Sequence, residues 1–366
     1  MKNWDIGSYQ ILEKAKEKFE EKYSSIPRRF AYIVNSDHVL GDDIKNTKNC
    51  QTCFATRHGV ENSKNIFLCG YLLKDSHDIT LGGDTSELLY ESTGITESQH
   101  SSFSRGSNHI VDVEYSENIY NGSHLFGCVK MRNKHYCILN KQYTKEEYEE
   151  LLPKIKQHMN DMPFIDKKER VYKYGEFFPS EHSMWAYNET IAHQWFPLSK
   201  EEAIARGYNW RDPAERNYKI SIFPDNLSDH INEVEDSIVN EIIACQHAVG
   251  EKGNACEPEC NEQCTTAFRI LPDELAFYRN LKIALPRFCP NCRYYDRLKK
   301  RNPPKLWKRK CMCSGTMALG KEKDFYRNTV KHFHGDEECP NEFETAIDPE
   351  RKEVVYCEKC YQSEFI

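Results

Sequence analysis

Eleven of the sixteen cysteines fall between Cys245 and Cys360, in two successive sets with the spacing of zinc ligands. The first set is Cys245, Cys256, Cys260 and Cys264, followed by the knuckle Cys289-Pro-Asn-Cys292. A C-x2-C turn directs both thiolates at one metal about 2.3 Å away, and a tetrahedral site takes two ligands from each of two short loops. Cys289 and Cys292 are therefore expected ligands. Four upstream cysteines compete for the other two places. Cys264 ranks first because it directly precedes the strand-like run Thr265 to Ile270, with Cys245 and Cys260 as rival partners. A helix from Pro272 to Leu281, with proline where a first-turn residue tolerates it, is expected to pack Leu275, Phe277, Tyr278 and Leu281 beneath the knuckle.

The second set is Cys311-Met-Cys313, Cys339 and Cys357-Glu-Lys-Cys360. Cys339, Cys357 and Cys360 are the expected ligands, and Cys311 or Cys313 completes the site. Residues 342 to 347 and 353 to 357 read as the strands of a hairpin around Asp348-Pro349-Glu350-Arg351. His332 and His334 offer an alternative imidazole ligand, but a solvent loop is the preferred reading. Two closed four-cysteine sites leave no position for water or substrate, so both Zn2+ ions are expected to be structural. Structural zinc contributes on the order of 10 kcal/mol to a small domain.

The first twenty residues lack the apolar run of a signal peptide, and no window approaches the ~18 apolar residues of a membrane helix. The expectation is a cytoplasmic chain with no membrane partner, in which thiols stay reduced or bind metal. Cys50-Gln-Thr-Cys53 has no second knuckle, and Cys69, Cys128 and Cys137 are single, so these five read as buried thiols.

The whole reads as an α+β multidomain chain. Ile11, Ala15, Phe19 and Tyr23, spaced by four, predict an amphipathic helix that with its surroundings caps the chain over residues 1–45. Between 46 and 143 the helical period disappears. A polar residue followed by an apolar one recurs instead, at Asn49-Cys50, Asn65-Ile66, His109-Ile110, Asn118-Ile119 and His124-Leu125, the first two sixteen apart. This predicts a β-solenoid-like repeat domain with Asn side chains stacked from coil to coil; a stacked meander or a sandwich is the alternative. Residues 144–240 form a helical and aromatic middle segment. It opens on the capping box Thr144/Glu147, with Pro153 expected to kink or split the helix. Ser199 and Glu202 mark a short helix, and Ile231, Val234, Ile238 and Ile242 another. The tandem zinc-ribbon or treble-clef module follows, as 241–310 and 311–366.

The string Cys264-Thr-Thr-Ala-Phe-Arg-Ile, with Glu274-Leu-Ala-Phe-Tyr and Pro286-Arg-Phe-Cys-Pro-Asn-Cys-Arg293, resembles the probable zinc-binding domain of treble-clef or zinc-ribbon type found in many bacterial proteins. Lys48-Asn-Cys, Lys74-Asp-Ser, Tyr136-Cys-Ile-Leu-Asn-Lys-Gln-Tyr, Tyr174-Gly-Glu-Phe-Phe-Pro and Tyr356-Cys-Glu-Lys-Cys-Tyr extend the likeness over nearly the whole chain. With them it is similar to an uncharacterised zinc-ribbon family abundant in ultra-small uncultured bacteria. Shorter relatives carry a compact C-x2-C as each first knuckle, which implies Cys245 with Cys264, and Cys311 with Cys339, as pairs parted by insertions. The resemblance implies architecture and metal but no activity. Some relatives carry a CoA-transferase label, for which this chain has no residue constellation.

Between Arg287 and Lys310 ten cations face one acid, Asp296: Arg287, Arg293, Arg297, Lys299, Lys300, Arg301, Lys305, Lys308, Arg309 and Lys310. Tyr294, Tyr295 and Trp307 are interleaved. Cations that displace counterions and aromatic faces that stack on bases predict an RNA or single-stranded DNA surface. The formal net charge of −7 confines any such contact to a local patch. The plainer reading makes Arg293, Arg297 and Arg301 the solvated face of a helix. A protein-binding scaffold, using the repeat faces or the aromatics Trp185, Tyr187, Trp195, Phe196 and Trp210, is the second class. The third is an enzyme, for which Asp75, His77, Asp78 and Glu91 are candidates that read more simply as turn residues. Glu189-Thr-Ile-Ala-His193 lacks the first histidine of a zincin helix, and Gly82-Gly83 reads as a turn.

Overall fold

The computed structural model describes residues 4–212, 214, 218–249, 263–315 and 326–366. Its longer helices are α1 (Tyr9–Ser25), α2 (Lys145–Asp161), α3 (Pro272–Leu281), α4 (Pro290–Lys299) and α5 (Glu358–Phe365). The chain forms two compact units. One holds the N-terminus to Ile26 with Trp185–Arg301; the other holds Pro27–Met184 and most of the chain from Asn302. The break at Met184 falls inside the expected middle segment.

A β-solenoid of about nine turns fills most of the second unit. Its parallel strands begin at Ile33–Val34, earlier than the expected residue 46, and the last strand, Lys141–Gln142, turns back antiparallel. Gln51 pairs beside Lys64, Lys64 beside His77 and His77 beside Tyr90, a repeat of thirteen residues. From Leu89 beside Ser101 onward it is twelve. The spacing of sixteen read from the sequence compares dyads on different sides of different coils.

Three-residue sides build each coil. Ser98, Ser101, Ser104, Ser107, Ile110, Val113, Ser116 and Ile119 all point inward and are at most 1% exposed. The residue before each of the seven from Ser101 to Ile119, namely His100, Phe103, Gly106, His109, Asp112, Tyr115 and Asn118, has φ between 46° and 58°. Two extended residues and one left-handed one turn the chain, and four such sides close each twelve-residue coil. Left-handed backbone suits Asn, Asp, His and Gly and disfavours β-branched residues; among the described residues no valine or isoleucine occupies it, and in the solenoid threonine does so at Thr52 and Thr85. All five polar–apolar dyads are this pair, a left-handed corner followed by an inward side chain.

The interior mixes aliphatic burial with a repeated hydrogen bond. Inward serines donate to the carbonyl two residues back, as Ser98 does to Thr96 (2.6 Å) and Ser107 to Arg105 (3.0 Å). The same hydroxyls accept N–H groups of the next coil, Ile110 (3.1 Å) and Ile119 (3.0 Å). Cys50, Cys69, Cys128 and Cys137 occupy equivalent places, with Sγ 3.2–3.5 Å from the same type of carbonyl. They are buried coil thiols, as expected. Outside, the amide of Asn49 donates to Asn62, that of Asn62 to Asp75, and that of Asn65 to Asp78, the predicted stack. Asp75 and Asp78 thus continue ladders, and His77 pairs with Asp78. Gly82 ends a strand, and a Cβ there would lie 2.4 Å from the Ile95 carbonyl of the next coil.

One flank is covered by α2, whose capping box forms as predicted. Pro153 lies within the helix without splitting it. Tyr148, Leu151, Leu152, Ile155 and Met159 lie over the ladder Phe103, Tyr115, Phe126 and Ile138. The strand Arg28–Arg29, just before the first coils, pairs in parallel with Val355–Tyr356. Trp307–Lys310 pairs antiparallel with Glu342–Thr345. The expected hairpin of 342–347 with 353–357 is therefore absent among the described residues, because each of its strands has another partner.

In the first unit α1 is capped by Ser8, whose hydroxyl also meets Asp229, while Phe19 and Tyr23 remain exposed. Ser199 and Glu202 cap Lys200–Ala205 as predicted. The expected helix through Ile231, Val234 and Ile238 is instead two 3-10 turns, Ile231–Glu233 and Asp236–Asn240, which still bury these side chains. Apolar spacing of three and four fits tight turns as well as an α-helix.

Candidate metal centres

In the first unit the sulfurs of Cys245, Cys264, Cys289 and Cys292 converge. Ile243–Ala244 pairs with Ala267–Phe268 and brings Cys245 and Cys264 together, while Cys289 is the N-cap of α4 with Cys292 in its first turn. Cys289 lies 3.5 Å from Cys292 and 4.0 Å from Cys264, and Cys245 lies 3.8 Å from Cys292. A tetrahedron with arms of about 2.3 Å has edges of about 3.8 Å. A disulfide needs sulfurs about 2.05 Å apart, so these are thiols poised for a metal. Cys260 and Cys256 lie outside the described residues. Leu275 and Tyr278 of α3 pack beside the knuckle, whereas Phe277 and Leu281 face solvent, a correction to the expected four-residue face.

Backbone N–H groups point at these sulfurs: Cys289 to Cys245 at 3.1 Å, Thr266 to Cys264 at 3.3 Å and Thr265 to Cys289 at 3.4 Å. His247, two residues after Cys245, places Nδ1 3.2 Å from the Cys292 sulfur. The backbone N–H donors stabilise thiolate over thiol. Crowding divides the set. Contact with Cys264 leads in holding the Cys245 thiol down at about 7, whereas contact with Cys245 pushes Cys264 and Cys292 up. A dication among the four removes the conflict, since every ligand binds as thiolate.

The second unit repeats the arrangement with Cys311, Cys339, Cys357 and Cys360, all buried. Cys339 is 3.9 Å from Cys357 and 3.6 Å from Cys360. Cys357 N–H donates to the Cys311 sulfur at 3.1 Å and the Asn341 amide to the Cys357 sulfur at 3.3 Å. Burial pushes the Cys311 thiol up to about 12. Of the two rivals, Cys311 is the one that completes the four-cysteine group.

Cys313 belongs to another cluster, with His332, His334 and Cys360. The solvent-loop reading is corrected for His332, which is buried, while His334 is half-buried. His332 is 2% exposed, with Nδ1 3.5 Å from the Cys313 sulfur, and His334 has Nε2 3.3 Å from the Cys360 sulfur. Glu364, absent from the sequence reading, meets Nε2 of His332 at 3.1 Å. Two signals pointed here: the His-Phe-His spacing, and Glu364 one helical turn beyond Cys360 on α5.

The ten cations are divided, six in the first unit and four in the second. Arg287 is buried against the carbonyls of Leu227 and Ser228, with its guanidinium over Tyr9. Arg293 meets Glu274 and Tyr278, and Lys300 meets Glu20. Arg297 lies over Tyr294 and Arg301 over Trp195, while Lys299 is exposed at the end of α4. Lys305 lies over Trp307, Lys308 is strand-paired opposite Glu344, and Lys310 is 3.7 Å from Glu342. Arg309 donates to the carbonyls of Ile347 and Asp348. The helical reading of Arg293 and Arg297 is the one the fold adopts. His193 is buried edge-on to Tyr187 and Trp210, without a zincin helix.

No described helix is long and apolar enough to cross a membrane. The chain matches no protein-family model, no curated protein and no solved structure.

Proposed function

We propose that this protein is a zinc-dependent, non-catalytic binding protein of a reducing, cytoplasmic setting, in which the metal centres hold binding surfaces in place. One observation carries the reading. Each four-cysteine group is closed, with sulfurs at tetrahedral spacing and N–H donors on them, and such a centre offers no position to substrate. Elemental mass spectrometry on the full chain, purified under reducing conditions, tests it. Zinc bound at both cysteine groups, and loss of cooperative unfolding on chelation, are the expected results. A metal-free chain that unfolds at the same temperature overturns the reading.

A finer reading is that the first unit binds RNA or single-stranded DNA. Arg297, Lys299 and Lys300, exposed at the end of α4 beside the exposed ring of Tyr294, support it, since phosphates need accessible cations and bases an accessible aromatic face. Changing Arg297, Lys300 and Arg301 to Glu is expected to abolish binding of a labelled oligonucleotide at unchanged zinc content. Retained binding sinks the nucleic-acid reading, and a nuclease-resistant protein captured in the same pull-down would favour the scaffold reading instead.

A further inference from the structure

The Cys360 sulfur belongs to two ligand sets at once. It is 3.6 Å from the Cys339 sulfur, inside the four-cysteine group, and 3.3 Å from Nε2 of His334, inside the Cys313–His332–His334–Cys360 group. Imidazole and thiolate on one tetrahedral zinc, with arms of about 2.1 and 2.3 Å, lie about 3.6 Å apart. The separations of 3.3 and 3.5 Å in the second cluster match that edge.

Both histidines are oriented as ligands. His334 donates Nδ1–H to the Glu337 carbonyl at 2.7 Å, and a carbonyl only accepts, so Nε2 is left as a lone pair aimed at Cys360. His332 donates Nε2–H to the Glu364 carboxylate, which leaves the Nδ1 lone pair toward Cys313. A carbonyl or carboxylate behind the ring is the arrangement that fixes tautomer and angle in metal-bound histidines. The Asn328 amide donates to the Cys313 sulfur at 3.2 Å and is held from behind by the Tyr356 hydroxyl at 2.7 Å. A solvated loop has no reason to build these contacts around the buried Cys313, His332 and Cys360.

We propose that Cys360 bridges two zinc ions in a binuclear centre, one held by Cys311, Cys339, Cys357 and Cys360, the other by Cys313, His332, His334 and Cys360. Each ion has four ligands from seven side chains, and the chain binds three ions in all. Five thiolates face two dications, so the centre carries a single net negative charge. A lone four-thiolate zinc would carry two, and the second ion thus lowers the cost of burying the first. The inference rests on the reading of the cysteine groups as metal centres.

The test is native mass spectrometry of the full chain with zinc, and cadmium NMR of the same chain loaded with cadmium. Three ions and a scalar coupling between two cadmium resonances are expected, because only a shared ligand atom transmits it. Cys360→Ser removes a ligand from both ions and threatens the fold, so the informative variant is His332→Ala with His334→Ala. It keeps the four-cysteine group and is expected to hold two ions, with the coupling gone. Two ions in the parent chain, unchanged in the double variant, overturn the second ion while leaving the proposed function standing. Three ions without coupling overturn the bridge. No bound metal overturns both this inference and the reading beneath it.

Discussion

Glu364 accepts the Nε2–H of His332 at 3.1 Å, and the two side chains are wholly shielded from solvent. A carboxylate behind a histidine sets its ring angle and makes the opposite nitrogen a better donor to metal. Glu364→Ala is therefore expected to weaken the ion at the histidine cluster by about 10- to 100-fold. Competition with a chromophoric chelator reads this directly, with the first-unit centre as the unaffected control.

The first centre places Cys245, which competed with Cys260 for the position, beside Cys264. Cys264 stands 4.0 Å from Cys289 in the converged set. Cys264→Ser should release one zinc and make the segment around α3 and α4 sensitive to protease. Cys260→Ser should change neither.

Inside the solenoid, hydroxyls matter as much as methyl groups. Ser107 is buried, satisfies the Ile119 N–H at 3.0 Å and donates to the Arg105 carbonyl. Ser107→Ala strands that buried N–H, at a cost of about 1–3 kcal/mol. Ile110→Ala opens a cavity and costs about 2–5 kcal/mol. Urea unfolding of each variant measures the two, and a neutral Ser107→Ala would refute the ladder's role.

The α2 flank should loosen in alkali. Burial beneath α2 and Phe178 pushes the Tyr115 hydroxyl up to about 12 from its ordinary value near 10. The folded state keeps a proton that the unfolded chain has lost across that window. Stability from this group is complete below pH 10 and falls as pH rises from 10 to 12. Tyr115→Phe should flatten the decline over that interval, measured by thermal melts at successive pH values.

Local signals were readable wherever one short stretch decides its own conformation. The Thr144/Glu147 and Ser199/Glu202 capping boxes and the proline-led helix at Pro272 depend on neighbours three or four residues away, and each formed as read. The polar–apolar dyads marked the solenoid correctly, although their interval did not. A dyad records a corner, and corners recur every three residues, so many spacings fit the same coil. The apolar run from Ile231 to Ile242 was misread because burial shows in the pattern while the choice between α and 3-10 turns does not.

By itself the sequence determined which residue types were available: corner residues that tolerate left-handed backbone, small inward donors and aliphatics, and cysteines at knuckle spacing. Tertiary structure decided the pairings. Cys311 entered the four-cysteine group because Met312 N–H bonds to the Val355 carbonyl, which sets its sulfur against Cys357. Cys313, two residues on, was carried to His332 and His334, and Cys360 was left between the two groups. Spacing along a chain restricts which ligands reach one metal, but a site needs atoms within about 4 Å in space, and only the folded backbone fixes that distance.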